Sequence, residues 1–222
     1  MPELRFLGHA AFELRIAGKT ILFDPWITGN PRSPLASPDE IRDADIILVT
    51  HDHYDHGFED AVAIAKRTDA TLVAIAELAG EAKTAGVSKV VSGNLGGTVG
   101  VGGIRISFVP AFHSTGVGVP CGFVVRHPDL TVYHVGDTSY FGDMHLLADE
   151  RIDIALLPIG GTFTMDIRGA ARAVEAIRPK TVIPMHYDTF PAIVADTGEF
   201  RRLVGHHAKV ETLVPGNVLS LE

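Results

Sequence analysis

The stretch THDHYDH (residues 50–56) sets three imidazoles and two carboxylates within seven consecutive positions, directly after the apolar run IILV (46–49). Imidazole nitrogens and carboxylate oxygens at this density suit a divalent transition metal. A solvated turn gains nothing from three rings whose protonation it must control. Alternation along an extended chain puts His51 and His53 on one side with Asp55 following, while His56 falls out of step. The cluster is therefore expected in a loop that leaves a strand's C-terminal end and opens into a helix from Phe58, where open α/β sheets hold their ligands.

Three further positions repeat the arrangement. FVPAFHS ends an apolar run with His113, TVYHVGD ends one with Asp137, and TVIPMHY ends one with His186. Each is a ligand-type residue just past a strand-like segment, where a structural turn would call for Gly or Asn. Taken singly each reads as an ordinary polar residue; together with THDHYDH they read as the other half of a metal site.

The elements that must position these residues are legible as alternating patterns. LRFLG, AFELRIAG and KTILFDP read as short strands with turns at Gly8 and Gly18, and ADIILVT as a strand buried on both faces. FEDAVAIAKRT and ELAGEAKTAG read as helices separated by the strand ATLVAI. The span from Ser92 to Ser114, rich in glycine, suggests hairpins feeding an apolar strand, and CGFVVRHPDLTVYHVGD a hairpin turning near Pro128 and Asp129. The tail then alternates: helix FGDMHLLADE, strand DIALLPI, helix RGAARAVEAIR, strand TVIPMHY, helix EFRRLVGHH, strand KVETLVP. Strands in the middle of each half with helices flanking them predict an α/β protein of two packed sheets, a four-layer αββα sandwich.

Bulk properties narrow the function. At 222 residues one domain is ordinary for a layered α/β fold. A formal charge of −8 with scattered Lys and Arg argues against a nucleic-acid partner. No run reaches the ~18–20 apolar residues of a membrane span, and neither a membrane partner nor a secretory signal is expected. The single cysteine, Cys121, fits a reducing cytoplasm.

The order His-x-His-x-Asp-His, then His, Asp and His, resembles the metallo-β-lactamase superfamily over the whole length, 1–222, as one hydrolase domain. GHAAF, DPWITGNP, VTHDHYDH, AFHS, GDT, LLPIGGTFTM and IPMHYDTFP are similar to a branch of metal-dependent hydrolases related to ascorbate-6-phosphate lactonase. The resemblance implies two divalent metal ions: one held by His51, His53 and His113, a second by Asp55, His56 and His186, with Asp137 bridging. Zinc is the first expectation, with manganese, iron or nickel as alternatives. Related oxygen-reducing diiron proteins carry Glu where this chain has His53, which points to hydrolysis and away from redox work. The implied reaction is attack by a metal-bridging hydroxide on a small ester, lactone or phosphoester, with Asp55 as catalytic residue orienting the nucleophile. Asp24 resembles an aspartate that supports a ligand histidine, and His9 lies in a motif facing the site. Gly161 stands where some relatives carry Asp. A small-molecule substrate and, by analogy, a homo-oligomer are expected. The competing readings are a phosphodiesterase or nuclease acting on nucleotides or RNA, and a metal-binding protein without turnover.

Overall fold

Short apolar segments bounded by glycine and polar turns form strands here because most bury at least one face, and the most apolar runs bury both. A computed structural model describes residues 1–221. Its first sheet takes β1 (Glu3–Gly8), β2 (Ala11–Ile16), β3 (Lys19–Phe23), β4 (Ile46–Leu48), β5 (Thr71–Ile75) and β6 (Lys89–Gly93). The second takes β7 (Thr98–Val101), β8 (Ile104–Pro110), β9 (Cys121–His127), β10 (Leu130–His134), β11 (Ile154–Pro158), β12 (Thr181–Met185) and β13 (Lys209–Val210). A last strand, β14 (Val218–Ser220), returns to pair antiparallel with β1 and completes the first sheet. Each sheet has seven strands, in the orders β14-β1-β2-β3-β4-β5-β6 and β13-β12-β11-β10-β9-β8-β7.

Both sheets begin antiparallel and turn parallel. β1 to β3 form a meander and β3 to β6 run parallel; β7 to β10 are antiparallel and β10 to β13 parallel. The parallel strands are the hydrophobic ones: every residue of β4 and β11 is buried. Parallel pairing needs crossovers, and α1 (Phe58–Thr68), α2 (Ala76–Thr84) and α3 (Ile167–Ile177) supply them, with α4 (Thr197–Val204) joining β12 to β13. In α3 the buried residues Ala170, Ala173, Val174 and Ile177 recur at helical spacing, and Asp166 caps the first turn by accepting from Gly169 N at 2.7 Å.

The sheets close on one core, giving the four-layer sandwich of the metallo-β-lactamase fold. Phe23 of β3 stacks on His134 of β10, ring centroids 5.3 Å apart. His134 Nε2–H donates to Ala10 O at 2.8 Å, while its Nδ1 accepts from Gly136 N. That ring is a satisfied core histidine tying the sheets together, as its lack of a motif suggests, and burial lowers its pKa.

Three expectations are corrected. The segment from Gly142 to Glu150 is a 3-10 helix rather than an α-helix, because it buries only Met144 and no side chain caps its start. The strand expected through KVETLVP pairs only over Lys209–Val210; after Glu211 N donates to Val182 O, the next ladder donor from β12 would be the N–H that Pro184 lacks. The helix expected through His207 ends at Val204, with Gly205 as its cap. Strands β6 and β14 had no separate sequence signal, being short and next to glycine or the terminus.

Candidate metal centre

The predicted residues reach one place because each follows the end of a strand. β4 stops at Leu48, and the chain crosses to the second sheet, where Cys121 N donates to Thr50 O at 3.1 Å. His51 and His53 follow, then one 3-10 turn over Tyr54–His56, then Gly57 at φ 66°, from which α1 starts. A Cβ on Gly57 would lie 2.5 Å from Trp26 N and Cα, so this tight passage requires glycine. His113 follows β8, Asp137 follows β10 and His186 follows β12. His9 sits in the β1–β2 turn at φ 58°, and its carbonyl accepts from the N–H of His186, itself at φ 53°. A Cβ on Gly160 would fall 2.3 Å from His186 O, so the close approach of these two loops requires glycine there.

The side chains form three overlapping groups, each with ligand atoms within 4.8 Å of one another: His51, His53 and His113; His51, His56 and Asp137; and His9, Asp55, His56 and His186. His53 Nδ1 lies 3.0 Å from His51 Nε2 and 3.3 Å from His113 Nε2. Asp137 spans the set: Oδ1 is 3.3 Å from His56 Nε2, and Oδ2 is 3.6 Å from His113 Nε2 and 3.0 Å from His186 Nε2. Asp55 Oδ2 is 3.3 Å from His9 Nε2 and 3.9 Å from His186 Nε2. His9, given by sequence only as a residue facing the site, thus joins the group of Asp55, His56 and His186 outright.

Outer partners set which nitrogen of each ring is bare. Asp24, fully buried, accepts from Thr50 N at 2.8 Å and from Thr50 Oγ1 at 2.7 Å. With its one proton on Asp24, Thr50 Oγ1 must accept from His51 Nδ1–H at 3.0 Å, leaving His51 Nε2 as a lone pair. Asp24 Oδ2 likewise accepts from His56 Nδ1 at 2.7 Å, so His56 Nε2 faces Asp137 bare. His9 Nδ1 is engaged by Thr189 Oγ1 at 2.8 Å.

These residues fit divalent cations. His9 Nε2, His56 Nε2 and Asp137 Oδ1 are buried in the cluster without a hydrogen-bond partner, a costly arrangement that a cation would relieve. The three converging imidazole nitrogens, His51 Nε2, His53 Nδ1 and His113 Nε2, cannot all be satisfied by shared protons, whereas a cation satisfies lone pairs together. The nitrogen and carboxylate donor set is that of zinc or a neighbouring transition metal.

The electrostatics keep His51, His9, Asp137 and Asp55 in their ligating forms. Burial drives His51 well below the ordinary imidazole range, helped by the neighbouring His56. Burial also lowers His9, to about 4. Burial pushes the carboxyl of Asp137 up, but His186 and His56 outweigh it and hold the group well below the carboxylate range. Burial likewise raises Asp55, and contact with His9 and the charge of His56 overcome it, so Asp55 is ionised. His56 is opposed by burial yet raised by Asp137 and Asp24.

Some partners had no readable signal. Thr138 Oγ1 accepts from Phe112 N at 2.9 Å and so fixes the loop bearing His113. Asp52, inside the motif but not a ligand candidate, accepts from Thr115 Oγ1 at 2.6 Å and Gly116 N at 2.8 Å, anchoring the loop after β8. Thr189 lies three residues past His186 in HYDTFP, and its proximity to His9 arises only from the fold.

The sequence profile described as "Beta-lactamase superfamily domain" matches residues 3–186. A UPF0173 metal-dependent hydrolase of Caldivirga maquilingensis is 48% identical over 227 residues, covering 100% of this chain and 99% of that protein. Another, from Pyrococcus horikoshii, is 46% identical over 228 residues, covering 100% of each. Among solved structures, Igni18, a metallo hydrolase from the hyperthermophilic archaeon Ignicoccus hospitalis, superimposes with a TM-score of 0.93 at 38% identity, covering 100% of this chain and 98% of that one.

Proposed function

The chain belongs to the metallo-β-lactamase superfamily of metal-dependent hydrolases, and from that premise we propose that it uses two divalent metal ions to cleave a small ester, lactone or phosphoester. The observation that carries the reading is Asp137, whose two oxygens face His56 on one side and His113 and His186 on the other. That carboxylate would be shared between ions held by His51, His53 and His113 and by Asp55, His56 and His186, with His9 beside the second. Bound there, such a pair supplies hydroxide at neutral pH and positive charge against a developing oxyanion.

The chain's own residues do the rest. Asp24 and Thr50 hold His56 and His51 with their Nε2 lone pairs turned inward. Asp55 lines the cleft over the cluster together with His53, His113, Asp137 and His186. Its carboxylate accepts a hydrogen from the attacking water and, being ionised by preference, passes that proton on to the leaving group. Among the described residues no Lys or Arg lines this cleft, which favours a small substrate over a polyanion such as RNA.

The test is metal analysis with hydrolysis of bis(p-nitrophenyl) phosphate and of p-nitrophenyl acyl esters by protein reconstituted with zinc or manganese, beside Asp55→Asn. Metal-dependent turnover lost in the variant at unchanged metal content supports the reading. Full turnover in Asp55→Asn removes Asp55 from its role, and bound metal with no hydrolysis of either class overturns the reaction.

A further inference from the structure

Above the cluster of His and Asp side chains the cleft changes character. Its volume is ≈ 480 Å³, within the small-ligand range of about 300–1,000 Å³. The floor is polar, while Tyr54, Phe163, Phe190 and Ala192 form the wall. Tyr54 is 67% exposed and Phe163 58% exposed. Single exposed rings are common on protein surfaces; here they converge on one cleft whose floor carries the candidate chemistry.

The wall is held in place. Tyr54 stands edge-on to Trp26, ring centroids 5.7 Å apart, and Phe190 lies 6.0 Å from the same indole. Trp26 is itself buried behind them, its Nε1–H donating to Thr28 O at 2.8 Å. The loop bearing Phe163 is tied to the Phe190 side by Thr162 Oγ1 donating to Ala192 O at 2.8 Å. Pre-positioned rings of this kind take up apolar groups without an ordering cost.

Charge points the same way. Beyond its histidines the cleft's ionisable lining is the two carboxylates Asp55 and Asp137 and the phenol of Tyr54, with no Lys or Arg among the described residues. A phosphate or carboxylate remote from the reacting bond would be desolvated there without a partner.

Resting on the hydrolase reading above, we propose that the substrate carries an uncharged alkyl or aryl group next to its scissile bond, seated between Tyr54, Phe163 and Phe190. Substrates that would place a free phosphate or carboxylate against this wall, remote from the reacting bond, are then disfavoured, whichever ester class is cleaved.

Trp26 is the only tryptophan, so its fluorescence reports on this wall without turnover. Zinc-reconstituted protein is titrated with N-propylacetamide, N-hexylacetamide and 6-acetamidohexanoate. Kd should fall about fourfold per added methylene along the neutral pair, and the terminal carboxylate should weaken binding at least about tenfold. Phe163→Ser should weaken N-hexylacetamide binding about tenfold while Phe163→Leu retains it, matching the lost apolar area. Equal or tighter binding of the carboxylate, or no effect of Phe163→Ser, overturns the proposal. So does self-association that Phe163→Ser abolishes, since the wall would then be covered by a second copy. Chain-length-dependent binding without hydrolysis of any ester leaves this proposal standing and sinks the reaction. Ester hydrolysis without chain-length preference does the reverse.

Discussion

Replacing Asp24 with asparagine changes one atom and should separate folding from metal binding. The native carboxylate serves three donors: Oδ1 takes Thr50 N–H, and Oδ2 takes Thr50 Oγ1–H and His56 Nδ1–H. Asparagine keeps the shape but has one acceptor oxygen. With that oxygen in the Oδ2 position, its NH2 group meets Thr50 N–H, donor against donor. With the oxygen in the Oδ1 position, the NH2 group meets Thr50 Oγ1 and His56 Nδ1, and the His56 proton must move to Nε2. The first orientation leaves buried donors unpaired, at about 1–3 kcal/mol. The second relieves the fold but blocks the lone pair that faces Asp137. Urea denaturation of chelator-treated protein should therefore show a midpoint lower by about 0.5–1.5 M, taking a slope of about 2 kcal/mol/M. Competition against a chelating dye should show metal affinity down about 10–100-fold, the usual effect of losing such an outer partner. A midpoint within about 0.2 M of the parent and affinity within about twofold of it would refute the account of how His56 is held.

Gly57→Ala combines a left-handed φ with a Cβ 2.5 Å from the Trp26 backbone; a loss of at least about 2 kcal/mol is expected from the conformational term and the displaced backbone together, read from the same urea curves. In metal-free protein His9 is lowered by burial from 6.5 to about 4. Between those values the unfolded chain binds a proton that folded His9 refuses, so its stabilising effect is full above pH 6.5 and is lost as pH falls towards 4. The parent's urea midpoint should consequently drop more steeply between pH 7 and pH 5 than that of His9→Gln, by an amount on the order of 2 kcal/mol. If two ions bind as proposed, metal analysis after gel filtration should find His113→Ala depleted chiefly in the ion held with His51 and His53, and Asp137→Ala depleted in both, because the Asp137 carboxylate faces His113 as well as His56 and His186. Cys121 is fully buried, and burial raises its thiol well above the ordinary range; a thiol-specific disulfide reagent should leave it unmodified until denaturant is added.

Much of this was legible because ligating residues and the strands that carry them are written in different alphabets. Apolar runs such as IILV and IALLP declare buried parallel strands, and a His or Asp just beyond them stands out. The nine residues singled out by sequence do come to one end of the two sheets. What stayed hidden was long-range by nature. Thr189 meets His9 across 180 positions, and the Trp26 to Phe190 contact spans nearly as many. No local pattern encodes such pairs. Short-range misses had a different cause: the 3-10 segment over Gly142–Glu150 has helical composition but only one buried residue to hold it, and Pro184 cuts a ladder from the neighbouring strand.

The halves of this molecule contribute unequally but jointly to its centre. His9, Asp24 and the THDHYDH turn come from the sheet made first, while His113, Asp137 and His186 come from the sheet made second. During synthesis, then, a nascent chain can pair β1 to β6 long before it owns the full donor set. The last donor, His186, arrives only after β12 has taken its place beside β11. On the two-ion reading, the His51, His53 and His113 set is in the chain before β12 is made, whereas the set that includes His186 closes only once both layers have docked, so filling of that second set would report correct assembly.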